Sequence, residues 1–231
     1  MREGFAGRLR GVMDLASKLA EFVLRCGATA YAEPPDNLAF HASISQQVFQ
    51  RVLKSIPPEK RVKVLDVGCA DGFALKMFGE AGYKTYKGVT SRLEDVPDDL
   101  WAAGTQFCFQ QADMHEIALW PKGIFSLVWA RHIVEHSPIP LFLLEALRDQ
   151  LTPDGFLYVE VPSPSTPSEH FRNANHYSCF GQEGWRGLFL KAGLEIVDPF
   201  DCRVDVPAGP DVYFCFLLKS ASRQEAPDAS T

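Results

Sequence analysis

Two short stretches of this chain concentrate groups able to do chemistry. The first is Asp66–Val67–Gly68–Cys69–Ala70–Asp71–Gly72, an acidic residue and a glycine-rich turn that follow the apolar run Val62–Val67. Glycines let a backbone approach a ligand closely. In open α/β sheets, ligands bind in the crevice beyond the strand C-termini. The second is Arg131–His132–Ile133–Val134–Glu135–His136–Ser137–Pro138, with two imidazoles and a carboxylate at close spacing. Histidine changes charge near neutral pH and also ligates metals, so it suits proton transfer or metal binding. A polar segment further on, Pro162 to Gly181, adds His170, Asn173, Asn175, His176 and Tyr177. His176 is the first candidate for general base or metal ligand and His136 the second. The competing reading is a solvated loop, with Glu135 and His136 merely capping a helix.

The elements that must position these groups follow from hydrophobic periodicity. Apolar runs predict strands at Val62–Val67, Lys84–Val89, Gln106–Gln110, Phe125–Ala130, Phe156–Val161, Leu194–Pro199 and Val212–Leu218. Between them, helical spacing predicts helices at Phe73–Ala81, Ile139–Leu151 and Gln182–Ala192. Gly82 and Gly193 stand where helix C-caps are expected. Strand and helix in alternation signify a parallel sheet with crossover helices. Before this unit, Leu9–Cys26 and Ile44–Ile56 also read as helices, the second ended by Pro57–Pro58. The first has Leu9, Val12, Met13, Ala16, Leu19, Ala20 and Val23 on one side and is expected to pack on the domain. The expected division is an N-terminal helical extension or lid over 1–58, a catalytic unit over 59–219 and a disordered tail over 220–231.

The turn is not a dinucleotide fingerprint. G-x-G-x-x-G is required for that, and the pattern here, D-x-G-x-x-D-G, lacks the middle glycine. It resembles motif I of the class I S-adenosylmethionine-dependent methyltransferases, and the resemblance extends from about Arg61 to Lys219. It implies a Rossmann-like, doubly wound, seven-stranded, mostly parallel sheet with an antiparallel last strand. In that family the acidic residue and the turn hold the methionine part of the cofactor, which implies Asp66, Gly68, Cys69, Ala70 and Gly72. The second strand of the family ends in a carboxylate that grips the ribose. Here that place reads Thr90, followed by Ser91–Arg92. Thr90 and Ser91 are the candidates, with Glu94 or Asp95 as substitutes from the next turn. Asp113 and Met114 match the places that receive the adenine amino group and pack on its ring, although Asp113 also suits a helix N-cap. Arg131 completes the candidate cofactor contacts. Ser126 stands where the family's fourth strand carries an aspartate.

The H-x-x-E-H spacing of residues 132–136 also fits an inverted zinc-protease motif, but it follows a methyltransferase-like fourth strand. It is similar as well to metal-dependent O-methyltransferases that act on small-RNA 3′ ends or in the ubiquinone pathway. Those carry an acidic residue three before the Glu-His pair. By that resemblance His132, Glu135, His136 and His176 become candidate ligands for a divalent metal, and imidazole ligands suit Zn, Mn, Fe or Co better than Mg.

Bulk properties set the outer limits. The chain has 231 residues and a net charge of −6, with a pI near 5.5. Nucleic acid is disfavoured as a partner, since a basic footprint is expected for it. No CxxC pair occurs among the six cysteines, which reads as reduced thiols in a cytoplasmic protein. Asp14, Lys18, Glu21 and Arg25 interrupt the only N-terminal apolar stretch, so no membrane span is expected. The leading expectation is O-methylation of a small polar acceptor, such as a sugar or a phenolic hydroxyl. The alternatives are a metal-assisted RNA or catechol-type enzyme, a non-catalytic methyltransferase-like binding protein and an NADP reductase. Acceptor, pathway and oligomeric state are not encoded in these patterns.

Overall fold

The computed structural model describes residues 2–27, 35–102 and 106–221. Seven strands form one sheet: β1 (Lys63–Val67), β2 (Thr85–Thr90), β3 (Phe107–Gln111), β4 (Phe125–Arg131), β5 (Leu151–Pro162), β6 (Leu194–Val206) and β7 (Gly209–Ser220). Their order is β3-β2-β1-β4-β5-β7-β6. β7 runs antiparallel to both β5 and β6, and the pairs from β3 to β5 are parallel. The expected sheet is therefore the observed one. Its strand order reverses between β1 and β4, which opens a crevice at their C-terminal ends.

The central strands are apolar because both faces are covered. Val64, Leu65, Leu127, Val128, Leu157 and Val159 are all fully buried. Trp129 fills one face, stacked on Tyr158 at 4.1 Å and edge-on to Phe78 at 5.4 Å. Helix α3 (Phe73–Glu80) brings Phe78 to this face. Helices α5 (Pro140–Asp149) and α6 (Gln182–Lys191) bury Leu143, Leu147, Trp185 and Phe189 in a second cluster with Val128 and Val159. A short helix, α4 (Asp98–Ala102), precedes β3.

Three features depart from the sequence expectation. Helix α2 begins at Pro35, well before Ile44, and ends at Ser55. Its Ile44, Val48, Phe49, Val52 and Leu53 lie in one core cluster with Phe78 and Trp129. Helix α1 (Arg2–Gly27) forms, but the packing expected of its apolar side is found only at Val23 among the described side chains. Val12, Met13 and Leu19 are exposed. The last two strands are much longer than expected, 13 and 12 residues, and make a hairpin from Leu194 to Ser220. Strict alternation of partly buried and exposed residues runs through β6 after the buried Leu194, so the pattern continues past Pro199. Ser220, placed in the tail by sequence, pairs with Leu194; residues 222–231 lie outside the described residues. No described helix is long and apolar enough to cross a membrane.

Candidate active site

The glycine turn sits at the C-terminal end of β1. Gly68 and Gly72 have φ of +78° and +73°, and Ala70 has φ +44°. Such values are natural for glycine and strained for other residues. A Cβ at Gly68 would stand 2.6 Å from Ile133 Cδ1, so the turn is pressed against the loop that carries the histidines. The backbone of Gly68 and Cys69 is tied to Val89 O of β2 by bonds of 2.8 and 3.0 Å. Asp66 is buried under this turn. Burial drives its carboxyl up to about 7, Asp71 pushes the same way and Arg131 opposes both. A buried acid of this kind is incompletely compensated and suits a cationic ligand.

At the end of β2, Thr90 Oγ1 accepts from Arg92 N–H at 3.1 Å. Its hydroxyl is thereby used to fold the chain after the strand. Glu94 and Asp95 form ion pairs with Arg92 at 3.2 and 3.3 Å. Ser91 is exposed and its carbonyl accepts from Gln111 Nε2. Asp113 caps the turn Met114–Leu119 in a capping box with Glu116. The cap expected as a competing role is thus real, and both its bonds from His115 go to Oδ1. Ser126, in the place of an aspartate, accepts from Val62 and Lys63 N–H at 3.2 and 3.0 Å. It pins the start of β4 to the start of β1, far from the crevice.

Beyond β4 the chain turns sharply, with His132 at φ +52°. Its ring is clamped from both sides. Nδ1 lies 3.3 Å from Glu135 Oε1 and Nε2 3.0 Å from Glu160 Oε1. Burial and Arg131 disfavour a charge on this imidazole, but the bonds to Glu135 and Glu160 outweigh them and lift it to about 9. Glu160 also receives Arg131 Nε at 2.9 Å and Tyr158 OH at 2.6 Å. Arg131, His132, Glu135 and Glu160 form one buried ionic cluster beneath the loop.

The structure divides the four candidate metal ligands. Glu135, His136 and His176 offer ligand atoms that all lie within 4.8 Å of one another. His132 stands apart, because both its ring nitrogens face carboxylates and neither lone pair is available; as a ligand it is replaced by a role in holding Glu135. His136 Nδ1 donates to Asn175 O at 3.0 Å, which leaves Nε2 for other partners. Glu135 is 1 % exposed, and its Oε2 has no hydrogen-bond partner among the described residues. His176 packs edge-on to His136, with ring centroids 4.8 Å apart. Burial, with His136 and His170 adding to it, pushes His176 down to about 4, so this imidazole is neutral at physiological pH.

Partners that sequence reasoning passed over join the loop histidine His170 and complete the site. His170 donates to the buried carboxylate of Asp211 at 2.9 Å, and Ser168 Oγ donates to it at 2.7 Å. Tyr213 lies between the His132 and His170 rings, at 4.6 and 5.9 Å. Glu160 carried a signal, a charge inside the apolar run Leu157–Val161. Asp211 and Tyr213 carried none, since only the hairpin brings them to the loop.

A family model described as "Methyltransferase domain" matches residues 15–198. None of the curated proteins matches. Among solved structures, an S-adenosylmethionine-dependent methyltransferase from Leishmania major is similar, with TM-score 0.67 and 17 % identity over 86 % of this chain and 82 % of that one. The 1,6-didemethyltoxoflavin-N1-methyltransferase of Burkholderia thailandensis, with its acceptor and S-adenosylhomocysteine bound, gives TM-score 0.57 and 19 % identity over 83 % and 92 %. The [4+2]-cyclase SpnF gives TM-score 0.57 and 16 % identity over 69 % and 76 %. Such distant likenesses speak for the fold.

Proposed function

This chain belongs to the methyltransferase-domain family, of the class I S-adenosylmethionine-dependent kind, and on that premise we propose that it methylates a hydroxyl of a small polar acceptor. The cofactor fits the residues present. The turn from Gly68 to Gly72 gives backbone access, and the uncompensated Asp66 beneath it suits the ammonium of a methionine moiety. In this reading Cys69 and Ala70 line the same turn, Asp113 and Met114 meet the adenine, and Arg131 sets the field at Asp66. Thr90 and Ser91 supply no carboxylate for the ribose, which leaves Glu94 or Asp95 to reach it. When bound, the cofactor supplies a methyl carbon already activated on a cationic sulfur.

The observation that carries the hydroxyl reading is the approach of two imidazoles, His176 and His136, whose ring centroids lie 4.8 Å apart over the C-terminal ends of β4 and β5. A hydroxyl must lose its proton as it attacks, and a positioned base is worth roughly 10²–10⁴-fold. His136 and His176 are the residues proposed to take that proton. Alignment of the acceptor supplies much of the remainder. Residues 59–219 carry these groups, with α2 on their outer face. The test is turnover with a panel of sugars, phenols and amines, read with His136→Ala and His176→Ala. Both variants are expected to keep S-adenosylhomocysteine affinity and to lose about 10²-fold or more in kcat. Turnover of amines alone, with no dependence on either histidine, would overturn the reading.

A metal-assisted variant of the same reaction is favoured by one observation, the approach of Glu135, His136 and His176 with Glu135 Oε2 unpartnered. Two imidazoles and a carboxylate suit Zn, Mn, Fe or Co. Asn175 O and His132 would orient two of the three ligands, as outer-shell partners do. A bound ion would acidify an acceptor hydroxyl. Elemental analysis of purified protein separates the two variants: about one ion per chain, lost in Glu135→Ala, is expected of the metal-assisted one, and a metal-free active enzyme would remove it.

A further inference from the structure

A buried chain of hydrogen bonds joins the cofactor edge of the crevice to the loop over β5. It begins at Asp113, after β3. His115 binds Asp113 Oδ1 twice, through its backbone N–H at 2.9 Å and through Nδ1 at 2.6 Å. His115 Nε2 lies 2.8 Å from Ser137 Oγ, and Ser137 Oγ accepts from Ile139 N–H at 3.2 Å. Ser178 Oγ donates to Ser137 O at 2.8 Å, and Ser178 N–H donates to Glu135 O at 3.0 Å. His115, Ser137 and Ser178 are all buried.

One proton arrangement satisfies the whole chain. Asp113 is a carboxylate: burial would raise its pKa, but the bonds from His115 outweigh that and lower it. It therefore takes the Nδ1 proton. Nε2 must then accept, so Ser137 Oγ–H donates to it, and the lone pair of that oxygen takes Ile139 N–H. In composition the chain matches an Asp–His–Ser hydrolytic triad. Its serine, however, has no exposed surface and uses its oxygen as both donor and acceptor, so it is not a nucleophile.

We infer that His115 is a positioning residue that couples the adenine-side carboxylate Asp113 to the acceptor loop through Ser137 and Ser178, so that filling the cofactor crevice tightens the loop around His176. This rests on the cofactor reading above. Both bonds to Asp113 fall on Oδ1, so His115 does not occupy Oδ2, which can accept from an incoming donor. A donor on Oδ2 restrains the carboxylate, and His115 then transmits the restraint by bonds it already makes. Coupling of this kind is a free-energy link between two sites and works by reducing motion as well as by displacement.

Hydrogen exchange at amides 173–180, with and without S-adenosylhomocysteine, tests it. In the wild type, binding should slow exchange there by about fivefold or more. Ser137→Ala cuts the link and leaves the Asp113–His115 pair, so affinity for S-adenosylhomocysteine should stay within about threefold while the slowing is lost. His115→Phe should lose the slowing and also weaken binding by about tenfold. If Ser137→Ala does not fold, Ser178→Ala cuts the same link one bond later and is read the same way. Slowing in the link variants equal to wild type would overturn the inference, and so would wild-type binding with no change at 173–180. A wild type that does not bind S-adenosylhomocysteine at all would overturn the cofactor reading and this inference with it.

Discussion

Arg131 Nε lies 2.9 Å from Glu160 Oε1, and this pair is the electrostatic hinge of the crevice. On one side the guanidinium restrains the rise of Asp66, beneath the glycine turn. On the other, the same Glu160 oxygen holds His132, which in turn holds Glu135. The glycine-turn side and the histidine side thus share one set of buried charges.

Cofactor affinity should depend on pH through Asp66. Its carboxyl is raised to about 7, chiefly by burial, from an ordinary value of 3.8. The folded state then binds this proton more tightly than the unfolded chain, so the group lowers stability as pH rises between those values. An ammonium beside it requires the carboxylate. Affinity for S-adenosylhomocysteine should therefore climb as pH rises through about 7, by up to about tenfold per pH unit below it. Calorimetric titration in buffers of different ionisation enthalpy should show proton release on binding. Asp66→Asn should flatten the profile; a flat wild-type profile would remove Asp66 from the cofactor site.

The ionic cluster should leave its own mark on stability. His132 is raised to about 9 against burial, from an ordinary 6.5. Its stabilisation is complete below about 6.5 and lost as pH rises through about 9. Glu160 is depressed to about 2, because Arg131, His132 and Tyr158 together outweigh burial, so its contribution disappears only as pH falls through that value. Urea denaturation between pH 6.5 and 9 should show a decline in wild type that His132→Gln lacks. Glu160→Gln, which takes the shared buried carboxylate away from Arg131 and His132, should cost about 3–5 kcal/mol.

Gly68→Ala should be destabilising twice over. The backbone sits at φ +78°, which costs a non-glycine residue about 1–2 kcal/mol. The new methyl would also stand 2.6 Å from Ile133 Cδ1. Adding Ile133→Val should recover the steric part and leave the backbone part. Equal stability of Gly68→Ala and wild type in denaturant would contradict the strained turn.

Ser126→Ala should separate structure from function. It removes the acceptor for two backbone N–H groups, Val62 and Lys63. A cost of about 1–3 kcal/mol is expected, with no change in cofactor affinity. Weaker binding of S-adenosylhomocysteine at unchanged stability would instead give this serine a role at the crevice.

Much of the framework was legible in the order of residues. Period-two and period-3.6 patterning, with glycine stops, located the strands and helices, because each element buries its own face and records that in its sequence. The turn at Asp66–Gly72 was legible for the same local reason: strand, turn and helix are contiguous. The helix boundaries of α2 and the reach of the β6–β7 hairpin were not, since extension past Pro199 depends on cross-strand pairing and on the packing of Phe200 and Val204 against the core cluster that α2 joins.

Local order also brought Glu135 and His136 together, and composition singled out His176. It could not say that His132 would spend both ring nitrogens on carboxylates. That outcome needed Glu160, which arrives from β5 and competes for the same imidazole with a second carboxylate. Nor could it pair His170 with Asp211, or His115 with Ser137, because those partners are far apart along the chain and meet only where the strands end. Spacing sets which groups a segment can offer. Which of them stay free for chemistry is settled by the charges and donors that distant segments bury beside them.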